Sequence, residues 1–243
     1  MGKAVNDPLH ITSLRSRPAG RGERRSHARI RAGLLVMMLL PAVLLLFTCT
    51  GPADPPYPLE AGFSAIVQVD GESYRLEVTD VSHEIVTLDY YWQNQPVATR
   101  RLYRGLIVLS GRDGQRSFQH DLDLAELERI FPLEVGKHVV IDGSTVLNDR
   151  EPVPLHLSLT VTGRGRREVG DQAFDVWVLE METRIGEAED PVEVIHRTIY
   201  YAPRLGLPVK IAYRTSREKG HWRMVAIERR PRGRANRLGT VAI

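Results

Sequence analysis

The 243-residue chain holds one cysteine, Cys49. That excludes an internal disulfide framework and any multi-cysteine zinc or iron–sulfur site. Lysine is scarce, with four residues against twenty-nine arginines, a bias that fits a GC-rich bacterial genome. Catalytic signatures are missing too. No Gly-x-Ser-x-Gly elbow occurs, no two histidines stand at the i, i+4 spacing of a helical zinc site, and no His-x-His pair marks a strand. His83, His120, His138, His156, His196 and His221 are scattered, and they read as surface or satisfied histidines. The acidic cluster of Glu180, Glu182, Glu187, Glu189 and Asp190 reads as a wet sheet face, since a glycosidase pair needs a cleft. No cofactor or metal is expected, and no enzymatic activity.

Long hydrophobic runs are equally rare. One occurs, from Ala32 to Phe47, and it extends through Thr50 to nineteen uncharged residues. As a helix, nineteen residues reach about 28 Å, close to the ~30 Å hydrocarbon core of a bilayer. Residues 1–31 precede it with eight basic and two acidic side chains, a net +6. Basic residues on that flank keep the N-terminus inside and export the rest. Arg24-Arg25 raises twin-arginine export, but His27 and Ala28 stand where hydrophobic residues would follow. Cys49 closes the apolar run in the context Leu46-Phe47-Thr48-Cys49, which resembles a bacterial lipobox. Lipidation of Cys49, an uncleaved transmembrane helix and simple cleavage all remain open. Residues 51–56 hold three prolines and read as an extended tether.

Charge divides the chain. The tail has five arginines between 229 and 237, including Arg229, Arg230, Arg232 and Arg234. The whole chain is formally +3, so the body between the two basic ends carries −8. An acidic body without a basic, aromatic-laced stripe argues against nucleic acid. The tail, 229–243, reads as a disordered segment suited to anionic lipid phosphates.

From Tyr57 to Glu228 the period is two. Leu155, Leu157, Leu159 and Val161 alternate with His156, Ser158, Thr160 and Thr162. Asp70-Gly71 is a strong hairpin signal, and Asp113-Gly114, Asp142-Gly143, Gly170-Asp171 and Lys219-Gly220 supply further turns. Gly163-Arg164-Gly165-Arg166-Arg167 reads as a basic hairpin turn, not a phosphate loop. One short helix is expected over Asp121–Ile130, opened by Asp123 with Glu126 three residues on and stopped by Pro132. Residues 57–228 therefore form an all-β domain, a curved and strongly twisted antiparallel sheet or half-barrel. Two echoes suggest a repeat over 57–130 and 131–228. Tyr57-Pro58-Leu59-Glu60-Ala61-Gly62 returns as Phe131-Pro132-Leu133-Glu134-Val135-Gly136, and Leu102–Leu106 echoes Tyr200–Leu207.

Several strands are apolar on both faces, and an uncovered apolar face calls for a partner or a ligand. Tyr90, Trp92, Trp177, Met181 and Tyr201 are the candidates for lining such a groove. Ordinary core packing is the competing reading.

Phe131–Lys137 and Ile199–Lys210 resemble segments of uncharacterised bacterial envelope proteins, described as half-barrels and related in shape to the lipoprotein-localisation carriers. The resemblance spans about residues 57–228. It implies a concave apolar face that holds an acyl chain or a partner segment. The expectation is thus an exported, membrane-anchored protein facing the periplasm of a Gram-negative bacterium. It would bind a lipid or an envelope protein, or serve as a structural subunit; an envelope hydrolase is the remoter alternative.

Overall fold

The computed structural model describes residues 59–187 and 189–228. The basic segment 1–31, the apolar segment 32–50 with Cys49, the tether 51–56 and the arginines of the tail lie outside the described residues. No helix among the described residues is long and apolar enough to cross a membrane.

Twelve strands run in sequence order: β1 (Ser64–Val69), β2 (Glu72–Ser82), β3 (Ile85–Trp92), β4 (Gln95–Tyr103), β5 (Ile107–Asp113), β6 (Arg116–Leu122), β7 (His138–Leu147), β8 (Val153–Val169), β9 (Gln172–Gly186), β10 (Pro191–Ala202), β11 (Leu207–Arg214) and β12 (Lys219–Glu228). Each pairs antiparallel with its neighbours in sequence. The sheet curves beyond a half-barrel, because β1 also pairs with β12, from Ser64↔Glu228 to Val69↔Trp222. Closure removes the exposed edges an open sheet would leave.

The alternation drives this closure. Leu155, Leu157, Leu159 and Val161 of β8 are buried, as are Val86, Leu88 and Tyr90 of β3, while residues between them face outward. The interior is packed. Two internal cavities of about 20 and 30 Å³ flank Met181 and Arg197. A space that size holds about one water molecule.

An even strand number puts both ends of the domain at one end of the barrel. Ser64 and Glu228 pair there, and α1 (Leu124–Glu128), the one α-helix among the described residues, sits in the β6–β7 connection at that same end. The helix is shorter than its sequence suggests. Asp123 caps it through Ala125 N at 2.8 Å, and Leu127 and Ile130 are buried against the barrel.

Three sequence expectations about turns are corrected. Asp142-Gly143 lies inside β7, where a Cβ on Gly143 would stand 2.2 Å from the Asp121 carbonyl oxygen. Glycine is needed there for the close approach of β6, not for a reversal. Lys219-Gly220 opens β12, and the turn is made by residues 215–218. Gly163–Arg167 belongs to β8, which reverses only at Gly170-Asp171.

This last segment departs most from a plain barrel. A bulge between Val161 and Gly163 shifts the β8–β9 register. Before it β9 buries Leu179, Met181 and Ile185; beyond it β9 buries Phe174 and Val176, the opposite parity. The tip of β8–β9 thus forms an arm that packs through the other face. Arg167 stacks over the Tyr200 ring at 4.2 Å, and Gly170 comes up to Val225 and Ala226 of β12.

Candidate functional site

A groove of about 940 Å³ lies on the outer face of β8–β12. Cross-strand registers explain it. One row runs Thr160, Glu180, Thr198, Ala212, His221, and three of these are small. The adjacent row runs Ser158, Glu182, His196, Arg214, Lys219, and most of these are long and charged. Beyond the small row stand Val178, Tyr200, Lys210 and Arg223. Small side chains between taller rows make a floor between walls.

The groove is polar and mixed in charge. Glu182 receives Arg184 Nε at 2.7 Å and lies 3.3 Å from His196 Nδ1. At the far end Asp70 accepts from Tyr213 Oη at 2.8 Å and from the His221 backbone N at 2.8 Å. Glu180 and Glu182, read from the sequence as part of a wet sheet face, both line this groove, Glu180 in its floor row and Glu182 in its wall row. Ser216 and Lys219 have Ser-x-x-Lys spacing, but Ser216 is exposed on the β11–β12 turn and Lys219 is exposed at the start of β12.

The five aromatic and sulfur candidates do not line one surface. Tyr90 and Met181 face the same small interior cavity. Tyr201 is buried at the helix end, donating from its hydroxyl to the Arg104 carbonyl oxygen at 3.0 Å. Trp177 is half-buried beneath the Arg164 guanidinium, 4.0 Å from the ring centre. Trp92 is 42% exposed at the end of β3, at the opposite end of the barrel from α1.

A second polar constellation closes the helix end. The Tyr103 hydroxyl meets Glu84 at 3.0 Å and Glu128 at 2.5 Å. Arg104 Nη2 reaches the same two carboxylates at 2.5 and 2.6 Å, and its guanidinium stacks on Phe131. Burial, followed by the Glu128 hydrogen bond, pushes the Tyr103 hydroxyl up to about 12. Burial does the same to Tyr201, to about 12. These bonds tie α1 to the β2–β3 and β4–β5 turns.

The histidines have local partners. His138 meets Thr160 at 2.8 Å, His156 meets Asp142 at 2.5 Å, and His120 meets Thr145 at 2.9 Å. His120 is the buried one: burial, then the nearby Arg197 charge, lowers it to about 4. Among the described residues no three His, Cys, Asp or Glu side chains converge on a metal position. Sequence reasoning missed Arg214, Lys219, Thr198 and Ala212. Strict alternation marks each as outward-facing, but the register that gathers them is not written in any one strand.

No known protein family matches the chain, and no curated protein matches it. Three solved structures share part of its chain path. The hypothetical lipoprotein YmcC from Escherichia coli K12 has 9% identity and a TM-score of 0.48, covering 71% of this chain and 91% of that one. An exported-protein candidate with a YmcC-like fold, from Bacteroides fragilis, has 11% identity and a TM-score of 0.43, covering 71% and 98%. A lipoprotein candidate from Parabacteroides distasonis has 7% identity and a TM-score of 0.37, covering 71% and 97%. These likenesses do not support the expected resemblance to lipoprotein-localisation carriers, and none is close enough to transfer a residue's role.

Proposed function

We propose that the protein is an exported, membrane-tethered binding module of the bacterial envelope, without catalytic activity, that holds a partner protein in the outer groove of β8–β12. Export and tethering are read from the basic and apolar N-terminal segments. One observation carries the choice of site. The groove offers about 940 Å³, whereas the interior cavities offer about 20 and 30 Å³. An acyl chain inside the barrel would have to displace a packed core, which costs several kcal/mol. A polar floor with charged walls suits a protein segment better than a lipid tail.

Site-specific photo-crosslinking in cells tests this. A benzophenone residue at Thr198 or Ala212 should give a discrete protein adduct, and one at Arg116, outside the groove, should not. Equal labelling from all three positions would remove the groove assignment. Native mass spectrometry of the purified protein adds a check on the interior. A stoichiometric lipid that survives gentle purification would restore the interior as the binding site.

A further inference from the structure

His196, Arg214 and Lys219 occupy one row on three consecutive strands, paired His196↔Arg214 and Arg214↔Lys219. Directly opposed side chains on adjacent strands have Cβ atoms about 5 Å apart, and like charges so placed destabilise a sheet. Arg214 and Lys219 are such a pair. Both are exposed, and among the described residues neither has a carboxylate within ion-pair distance. Two of the groove's three carboxylates are engaged elsewhere, Glu182 by Arg184 and His196 and Asp70 by Tyr213 and the His221 backbone, and the third, Glu180, stands in the floor row between Thr160 and Thr198. The row also borders the floor of the groove, so a ligand lying on Thr160, Thr198 and Ala212 meets these cations along one side.

We infer that the groove takes an acidic segment of its partner, with carboxylates of that segment bound by Arg214 and Lys219. This rests on the groove being the binding site. An extended acidic segment would neutralise a like-charge pair that the fold leaves uncompensated.

The test uses the full chain and a labelled hexaglutamate peptide, read by fluorescence anisotropy. Because the tail would itself attract the peptide, its five arginines are changed to glutamine in every sample. Binding should weaken as salt is raised and should weaken about tenfold or more in Arg214→Glu/Lys219→Glu. The control Arg116→Glu/Arg150→Glu, away from the groove, should leave it unchanged. Circular dichroism establishes that each variant is folded. Equal binding by the two double variants would overturn the inference, as would preference for hexalysine. A groove that crosslinks a partner yet ignores hexaglutamate would sink the acidic-segment inference alone. Absence of any groove crosslink would remove the site itself.

Discussion

Strands β1–β6 and β7–β12 follow one pairing plan and do different things with it. Gly62 N donates to Val78 O at 2.7 Å, and Gly136 N donates to Val161 O at 2.8 Å. Val78 pairs with Leu88 just before a bulge, and Val161 pairs with Leu179 just before another. Bulges return between Arg101 and Leu102 and between Tyr200 and Tyr201. The matching positions then diverge in chemistry. On the outer face the first half runs Glu77, Asp89, Thr99, Arg112 where the second runs Thr160, Glu180, Thr198, Ala212. Glu77 is paired with Arg75 at 2.8 Å, so large charged groups fill the first row at the places that threonine and alanine leave low in the second. The first half has a concavity of about 380 Å³ along β4–β7 that includes Thr99 and Arg112, and the second half's groove is wider, at about 940 Å³, where two of the matching side chains are small.

The largest effect should come from breaking the contact between the halves. The β4–β5 turn meets the β10–β11 turn at Gly105 and Gly206. A Cβ on Gly105, at φ +63°, would stand 1.9 Å from the Gly206 carbonyl oxygen. Gly105→Ala should cost about 4 kcal/mol or prevent folding, because backbone must move on both sides. Gly62→Ala, at φ +91° with nothing within 4 Å of the added carbon, should cost only about 1 kcal/mol. Denaturant unfolding of the two variants measures the difference, and equal costs would mean that the turns do not press together.

The arm is the next difference. After its bulge β2 reaches a two-residue turn at His83-Glu84, whereas β8 runs on from Gly163 to Val169. Phe174 and Val176 are buried in that extension. Phe174→Ala should destabilise by about 3 kcal/mol, and Arg164→Ala, on the arm's exposed face over Trp177, by well under 1 kcal/mol. Thermal melts that rank them the other way would mean that the arm is not docked.

Much of this architecture is legible in the strands. Alternation finds β3 over Ile85–Trp92 and gives the buried set of β8, and Asp70-Gly71 marks its hairpin with φ 49° and 94°. Other tight turns were silent, because His83-Glu84 and Gln93-Asn94 adopt positive φ without glycine. The parity switch in β9 is hidden for a physical reason. A bulge adds one residue to a ladder and leaves no composition behind, so Trp177 reads with Leu179 and Met181 as a continuation of the core face. The site was less legible than the fold. Glu180 and Glu182 were visible as an acidic face, but Arg214 and Lys219, which continue the row of Glu182 across the sheet, sit over thirty residues away, and only strand register brings them near.

A third difference lies inside the barrel. Gly111 pairs with Phe118 and Ile211 with Trp222, so His120 of β6 stands where β12 has Met224. Burial holds His120 at about 4 when folded, below the ordinary value of 6.5. The unfolded chain therefore takes up a proton first as the pH falls, and stability drops from about pH 6.5 down to about 4. Between pH 7 and 4.5 that loss is about 2–3 kcal/mol. His120→Met should flatten this part of the pH–stability curve. An unchanged acid limb would place the sensitivity elsewhere.

The smallest effect concerns how the two halves seal the helix end. The matching turns are entered by Leu102-Tyr103 and by Tyr201-Ala202, so each half supplies one tyrosine, one position apart. Both hydroxyls are held at about 12 when folded, against an ordinary value of 10. A raised value keeps its contribution below pH 10 and loses it as the pH climbs towards 12, since the unfolded chain gives up the proton first. For Tyr201, which is buried, the loss reaches about 1 kcal/mol at pH 11. Tyr201→Phe also removes the bond to the Arg104 carbonyl, so it should lower stability slightly at pH 7 while making the alkaline limb shallower. Tyr103→Phe should do the same and, in addition, loosen α1, because its hydroxyl meets Glu128. Hydrogen exchange at Leu127 and Ile130 distinguishes the two. Faster exchange there in Tyr103→Phe alone would assign the helix to the tyrosine of the first half, and equal exchange in both would mean that the end closes as one unit.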